Sequence, residues 1–240
     1  MIRISVAGLE IGLDNKYSHI AELSRDYLSK ANADADISVF ASDENIDLEA
    51  EASGLSYSRG YLESIVLYRE IAEALPRFDA FVFHGAVIAL DGKAYAVTAR
   101  SGVGKTTHLS LWLQKFGDRV HILNGDKPIL RIIDGTVYAC GTPWRGKEGY
   151  GIAEMLPLEG IAFLERGEQN EAKEITVGAA LIRFVSQIYV PKAPAAASLA
   201  LSVANRIISS VKLYELKANM DISAATVAYE AFTGKQIERT

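Results

Sequence analysis

A glycine-rich segment at residues 99–107, which reads Ala-Arg-Ser-Gly-Val-Gly-Lys-Thr-Thr, constrains the fold more than any other feature of this chain. A β-rich run, Tyr95–Thr98, leads into it, and apolar residues at helical spacing follow over Thr106–Phe116. Glycines let the backbone curl so that N–H groups face an anion, and the positive end of the following helix dipole adds to that site. The segment therefore predicts a phosphate-binding loop between a strand and a helix. The alternative is a glycine turn with an incidental lysine.

The residues of this loop have distinct expected roles. Lys105 supplies charge for the β- and γ-phosphates, and the hydroxyl of Thr106 ligates Mg²⁺. Ala99 stands where the usual motif has its first glycine. The predicted ligand is ATP with Mg²⁺, and GTP or ADP stays open because no base-reading motif is present. The remaining cofactor-binding residues are loop positions and the residue after Thr106: Arg100, Ser101, Gly102, Val103, Gly104 and Thr107.

The rest of the chain alternates strand-like and helix-like segments, which predicts an α/β fold with a mixed sheet and a helical C-terminal third. The dipeptides Asp91-Gly92 and Asp134-Gly135 lie between apolar runs and predict two tight hairpins. The main predicted helices cover 18–30, 61–75, 106–116, 178–189, 195–210 and 224–232, and the predicted strands include 2–6, 37–40, 81–83, 86–90, 120–124, 160–164 and 211–216.

The division of the chain into domains stays open. The Ser/Gly/Tyr-rich stretch at residues 54–60 indicates a boundary between an acidic N-terminal α/β segment, 1–60, and a core, 61–240; the alternative is one continuous domain. Residues 1–80 carry 7 Lys and Arg against 15 Asp and Glu, whereas the remainder carries 18 against 15. An acidic front argues against nucleic acid as a partner, and a mildly basic remainder suits an anionic small ligand.

Composition also bears on the environment. No run of about 18 uncharged apolar residues is present, so no membrane-spanning helix is expected. The first residues do not have the pattern of a secretory signal. Cys140 is the only cysteine, so no internal disulfide can form, and a cytoplasmic location is expected.

Four stretches carry a resemblance to a known family: Phe83-His84-Gly85-Ala86-Val87, the Ser101–Thr106 loop, Asn124-Gly125-Asp126-Lys127-Pro128, and Gly141-Thr142-Pro143-Trp144-Arg145-Gly146-Lys147-Glu148. Together they resemble HPr kinase/phosphorylase and the wider phosphoenolpyruvate-carboxykinase-like P-loop kinases. They are most similar to the short bacterial HPr-kinase-related proteins of unassigned substrate. The resemblance runs from Tyr61 to the C-terminus and implies a phosphoenolpyruvate-carboxykinase-like core over that range.

The resemblance implies catalytic roles for two residues besides Lys105. His84 is expected near the transferred phosphate; the alternative is a buried, hydrogen-bonded histidine at a strand end. Asp126 matches the aspartate that takes the proton from the attacking hydroxyl, and it is also a candidate metal ligand with Thr106; the alternative is a turn residue before Pro128. The family has a second aspartate where this chain has Gly125, so one expected acidic group is missing.

Further residues are assigned by position. Arg100 and Lys127 flank the phosphate site, and Lys127, Arg145, Lys147 and Glu148 form a tentative substrate loop, with an exposed loop of scattered charges as the alternative. His108 and Trp112, in the helix after the loop, are expected to pack in the core; the alternative for His108 is a side chain that points at the nucleotide.

These residues lead to one expected function and one rival. The first is an ATP-dependent kinase that transfers the γ-phosphoryl group to a hydroxyl acceptor, serine-like, peptide or small molecule. HPr itself is the weaker acceptor expectation, because the basic segment that binds it has no clear match. The rival is a catalytically weak nucleotide-binding sensor or accessory protein, since Gly125 halves the acidic pair. A homo-oligomer stays open.

Overall fold

A small sheet forms from the beginning of the chain in the computed structural model, which describes residues 1–31 and 34–237. Strands β1 (Ile2–Val6) and β2 (Leu9–Asp14) pair antiparallel, and β3 (Ile37–Phe40) pairs parallel with β2. The β1–β2 turn uses Ala7 and Gly8, both at positive φ. Strand β2 was not predicted from the sequence.

Helix α1 (His19–Leu23) is much shorter than the predicted helix over 18–30, so that prediction is wrong in its extent. The chain leaves the helix at the buried Ser24, and a single 3₁₀ turn follows. Leu28 then bridges to Ile4, and the amide of Ser29 donates to the Arg3 carbonyl. Pairing with β1 thus competes with helical hydrogen bonding over these residues and ends the helix.

Two further helices cover this sheet. Helix α2 (Asp43–Ser53) begins at Ser42, whose hydroxyl accepts a hydrogen bond from the Asn45 amide, and ends at Gly54 in the left-handed region. Helix α3 (Arg59–Ala74) has the same kind of cap at Ser58. Its apolar face packs with the small sheet in one buried cluster, which also contains Ile129 and Cys140 from beyond it. Core packing therefore crosses residue 60, and a domain boundary there stays a prediction.

The large sheet is mixed and is organised around its longest strand. It contains β4 (Ala80–Val82), β5 (Ala86–Leu90), β6 (Lys93–Thr98), β7 (Val120–Asn124), β8 (Ile129–Ile133), β9 (Thr136–Cys140), β10 (Met155–Arg166), β11 (Glu171–Glu174) and β12 (Lys212–Ala218). The hydrogen-bonded order is β4-β8-β9-β10-β6-β5-β7, and β12 pairs with both β10 and β11. Strand β10 runs parallel to β6 and β12 and begins antiparallel to β9. The predicted mixed sheet is present, and β11 was not predicted.

Both predicted hairpins are present. The turns joining β5 to β6 and β8 to β9 place Asp and Gly together at positive φ, 51° and 74° in the first and 48° and 80° in the second. Two consecutive residues at positive φ match the right-handed twist of the flanking strands, which is why Asp-Gly is a reliable local signal.

Helices cover both faces of the large sheet. Helices α4 (Lys105–Phe116) and α7 (Ser223–Thr233) pack on one face around the fully buried Trp112. Helices α5 (Val177–Val185) and α6 (Pro194–Ile208) pack on the other. Helix α5 stops short of the predicted end at Tyr189, because residues 187–189 are drawn onto β4 and the turn after it by backbone hydrogen bonds. None of the helices in the described ranges has the length and apolar character needed to cross a bilayer.

Candidate functional site

The glycine-rich loop connects β6 to α4, as the sequence predicted. Gly102 and Gly104 have φ of +78° and +126°. A Cβ at either position would meet no atom within 4 Å, so crowding does not explain the glycines. Glycine is favoured because the backbone is in the left-handed region at both positions. The Val103 amide donates to the Arg100 carbonyl at 3.3 Å and closes a tight turn. The result is a curled loop that ends at a helix N-terminus.

The ammonium group of Lys105 lies over the beginning of this loop. Its Nζ donates to the Ala99 carbonyl at 3.1 Å and lies 3.4 Å from Nε2 of His84. Burial lowers the pKa of Lys105, and the Asp126 carboxylate opposes that shift. Two sequence-predicted catalytic residues, Lys105 and His84, are therefore in contact.

His84 is held in one orientation by Gln187. The His84 amide donates to the Gln187 carbonyl at 2.6 Å, and Nδ1 lies 3.0 Å from Gln187 Oε1. Because an amide oxygen only accepts, Nδ1 carries the proton and Nε2 is left as an acceptor towards Lys105. Burial lowers the pKa of His84, and the charges of Lys105 and Lys127 lower it further. Both effects disfavour the positively charged imidazolium form of His84.

Asp126 reaches the same place from the turn after β7. Its Oδ1 lies 3.7 Å from His84 Nε2 and 3.8 Å from Lys127 Nζ. The fully buried Asn124 shapes the turn, since its Oδ1 accepts the amides of Asp126 and Lys127 at 2.9 and 2.7 Å. The Asn124 amide group donates to the Thr142 carbonyl and hydroxyl, which joins the turn to the loop that follows β9.

The side chains of the predicted substrate loop lie in two different environments. Glu148 reaches the phosphate loop, where its Oε1 accepts a hydrogen bond from the Thr106 hydroxyl at 3.3 Å. Arg145 turns the other way: its guanidinium pairs with Asp26 at 2.7 Å and lies over the ring of Tyr27. Lys147 is exposed, as are Arg100, Ser101 and Thr107 around the phosphate loop.

Gly125 occupies a confined position. A Cβ there would lie 3.2 Å from the Arg145 carbonyl oxygen and 3.3 Å from Cβ of Tyr150. The Gly125 amide donates to the Tyr150 carbonyl at 3.0 Å. The residues of the loop that carries Arg145 and Glu148 would therefore be in tight contact with a Cβ at residue 125.

Thr106, Glu148 and Asp126 carry oxygen donors of the kind that suits a hard cation. The hydroxyl of Thr106 and the carboxylates of Glu148 and Asp126 are the oxygen ligands that Mg²⁺ takes, and Mg²⁺ usually keeps several waters and phosphate oxygens in addition. Among the residues that the structure describes, no group of three or more His, Cys, Asp or Glu is placed to hold a metal by itself. This donor set fits a cation that arrives with a phosphate ligand.

Sequence reasoning did not find every residue of the site. Gln187 orients His84 from the turn after α5, and Arg166 donates to the carbonyls of Gly102 and Val103. Neither stands in a local motif, because each contact depends on strand and helix placement. His108 is buried and accepts a hydrogen bond from the Trp112 indole at 3.0 Å, so the expected packing role of this residue is confirmed.

Comparisons with known proteins add little to this geometry. No family model matches the chain, and none of the curated proteins matches it. Among solved structures, the chain is similar to the Hpr(Ser) kinase/phosphatase from Coxiella burnetii, with 9% identity and a TM-score of 0.36 over 62% of this chain and 95% of that one. A similarity this distant leaves the function to be argued from the residues of the site.

Proposed function

We propose that this protein binds a magnesium nucleoside triphosphate, ATP in the first place, and transfers its γ-phosphoryl group to a hydroxyl acceptor. The observation that supports this most is the convergence of Lys105, His84 and Asp126. They come from three separate segments and meet beside the glycine-rich loop, with contacts of 3.4 and 3.7 Å. Phosphoryl transfer depends mainly on positioning and charge neutralisation, and this arrangement offers both.

The phosphates bind at the curled loop and the first turn of α4. Backbone amides there and the helix dipole attract the anion. Lys105 already lies over the loop through its bond to the Ala99 carbonyl, and it exchanges that bond and the bond to His84 for phosphate oxygens. Arg100 and Lys127 flank the site as further positive charges.

Thr106 and Asp126, with Glu148 beside Thr106, hold the magnesium that accompanies the nucleotide. The cation supplies charge neutralisation at the β- and γ-phosphates when it is bound. Glu148 offers a second carboxylate from the loop after β9, in a chain that has Gly125 where related kinases have an aspartate. The Thr106 hydroxyl releases its bond to Glu148 in order to ligate.

Asp126 orients the acceptor and receives its proton. The acceptor oxygen forms a bond to the γ-phosphorus while the bond from that phosphorus to the β–γ bridging oxygen breaks and ADP leaves. The proton of the acceptor hydroxyl passes to the carboxylate of Asp126. His84 donates from Nδ1 to Gln187 and keeps Nε2 available for a hydrogen bond beside the reacting groups.

A nucleotide-binding protein with weak catalysis is the second candidate, and the confined position of Gly125 favours it. A Cβ at residue 125 would crowd the neighbouring loop, so Gly125→Asp requires that loop to shift by a few tenths of an ångström. For this reason, a Gly125→Asp variant that gains no activity would not distinguish the two candidates. The turnover of the unaltered protein is the measurement that distinguishes them.

The first experiment measures phosphate binding. Calorimetry with Mg·ATP compares the unaltered protein with Lys105→Ala and with Lys115→Ala, an exposed lysine of the same helix. We expect Lys105→Ala to weaken binding by about tenfold or more, equal to about 1.4 kcal/mol, and Lys115→Ala to leave it unchanged. Absence of binding to ATP, GTP and ADP, or equal affinity in both variants, would contradict the phosphate site.

The second experiment measures transfer. In this proposal Asp126 takes the acceptor proton, which an amide cannot do, whereas the amide oxygen of asparagine still ligates magnesium. Asp126→Asn is therefore expected to reduce ADP release by about a hundredfold or more, while Mg·ATP affinity changes by only a few-fold. An equal loss in turnover and affinity would assign Asp126 to nucleotide binding alone. Saturable binding with no ADP release by the unaltered protein would move the proposal to the second candidate.

A further inference from the structure

Arg166 is joined to the glycine-rich loop by two hydrogen bonds. Its Nε donates to the Val103 carbonyl at 3.1 Å, and its Nη2 donates to the Gly102 carbonyl at 2.6 Å. One edge of the guanidinium thus holds two consecutive peptide carbonyls. Only arginine presents two donors in such a fixed fork, since the lysine ammonium is a single point of charge.

The sheet topology brings Arg166 to this position. Strands β6 and β10 are parallel, with Phe163 of β10 opposite Thr98, the last residue of β6. Strand β10 continues three residues further and ends at Arg166. The carboxyl ends of parallel strands meet at one edge of the sheet, so Arg166 lies beside the loop that begins where β6 ends.

These bonds set the direction of the loop peptides. In a planar trans peptide the C=O and the following N–H point in opposite directions. With the carbonyls of Gly102 and Val103 directed to Arg166, the amides of Val103 and Gly104 are directed away from it. The Val103 amide closes the turn onto Arg100. Gly104 is the residue immediately before α4, so its amide belongs to the N-terminus of that helix. Carbonyl oxygens that would repel an anion are kept on the outer side.

We propose that Arg166 is a positioning residue for the phosphate site, which holds the glycine-rich loop in its anion-binding conformation before a ligand arrives. This inference rests on the proposed function, because it presupposes that the loop binds phosphate. Gly102 and Gly104 have the backbone freedom of glycine, and an unrestrained loop would have to give up that freedom on binding. Arg166 removes part of that cost in the folded protein and adds a positive charge behind the loop.

The test separates geometry from charge. Calorimetric titrations with inorganic tripolyphosphate and with Mg·ATP compare the unaltered protein with Arg166→Ala, Arg166→Lys and Arg119→Ala. Arg119 is the matched control, an exposed arginine bonded to Asp91 away from the loop. We expect binding to be about tenfold weaker in Arg166→Ala and at least about threefold weaker in Arg166→Lys. Arg119→Ala should bind as tightly as the unaltered protein.

A second measurement detects the loop itself. In the absence of ligand, Arg166→Ala is expected to shift the NMR amide signals of Val103 and Gly104 and to speed their hydrogen exchange, while Arg119→Ala does neither. The melting temperature is recorded for every variant, since a role confined to stability would lower it without altering affinity.

The outcomes are distinct. Unchanged affinity in Arg166→Ala, together with the expected loss in Lys105→Ala, would overturn this inference and leave the proposed function standing. Full affinity in Arg166→Lys would also overturn it, because charge alone would then account for the effect. Unchanged affinity in both Lys105→Ala and Arg166→Ala, or no binding by the unaltered protein, would remove the proposed function as well.

Discussion

At the scale of single residues, His84 and His108 have different surroundings, yet the pKa of both is lowered. His84 lies partly exposed among Lys105, Lys127 and Asp126, and burial with the two positive neighbours lowers its pKa. His108 is buried in the helix that follows the phosphate loop, and burial lowers its pKa to about 4. In both residues the neutral imidazole is favoured over the imidazolium, so the positive charge of the site comes mainly from lysine and arginine.

His108 makes the stability of the protein depend on pH. Between about pH 6.5 and about pH 4 the unfolded chain binds a proton at this residue and the folded protein does not, so the free energy of unfolding falls as the pH is lowered, by roughly 3 kcal/mol in all. Urea unfolding at about pH 7 and at about pH 4.5 measures this. His108→Gln keeps an acceptor for the Trp112 indole but cannot titrate, so its unfolding free energy should fall less steeply. Parallel pH dependences in the two proteins would show that His108 does not titrate as inferred.

At the scale of secondary-structure elements, the sequence predicted what local chemistry determines. The Asp-Gly hairpins and the strand–loop–helix around Lys105 follow from turn geometry and glycine placement within a few residues. Helices α1 and α5 both end earlier than predicted, because strands β1 and β4 capture the residues that follow them. The contacts of Arg166 and Gln187 with the site were not predictable, since they require knowing which strands are neighbours.

The turn between β7 and β8 depends on one buried side chain. Asn124→Ala removes the acceptor for the amides of Asp126 and Lys127 and the donor to Thr142, and leaves those groups without their partner. We expect the free energy of unfolding to fall by about 2–3 kcal/mol and Mg·ATP turnover to fall with it. Asn205→Ala, at an exposed position on α6, is the control and should change stability by less than about 0.5 kcal/mol. If both variants unfold at the same urea concentration, the hydrogen bonds of Asn124 do not hold the turn.

At the scale of the whole molecule, the two sheets share buried surface and direct hydrogen bonds. Arg131 of β8 donates to the carbonyl of Ala7, in the β1–β2 turn, at 2.6 Å. The Trp144 indole joins the loop after β9 to helix α3, which covers the small sheet, by donating to the Ser64 carbonyl at 3.1 Å. Residues on both sides of the predicted boundary at residue 60 belong to one apolar cluster. Such continuity favours a single cooperative unit over two independently stable parts.

The two tryptophans of the chain report on different parts of the structure. Trp112 lies in the core between α4 and α7, and Trp144 packs against Tyr68 of α3. Trp112→Phe and Trp144→Phe each leave one fluorescent reporter. Because the cores are joined, we expect fluorescence and circular dichroism to give the same urea midpoint within each variant. If the two probes gave separate midpoints in either variant, the residues before 60 and the core after them would be distinct folding units.

The central place of β10 in the large sheet also bears on how the protein is made. During translation, the hairpins β5–β6 and β8–β9 emerge from the ribosome before residues 155–166 do, so β6 and β9 each present an unpaired edge until β10 is synthesised. Exposed edges of this kind invite pairing with other nascent chains, and chaperones protect them. The glycine-rich loop is therefore complete in sequence some sixty residues before Arg166 arrives to order it.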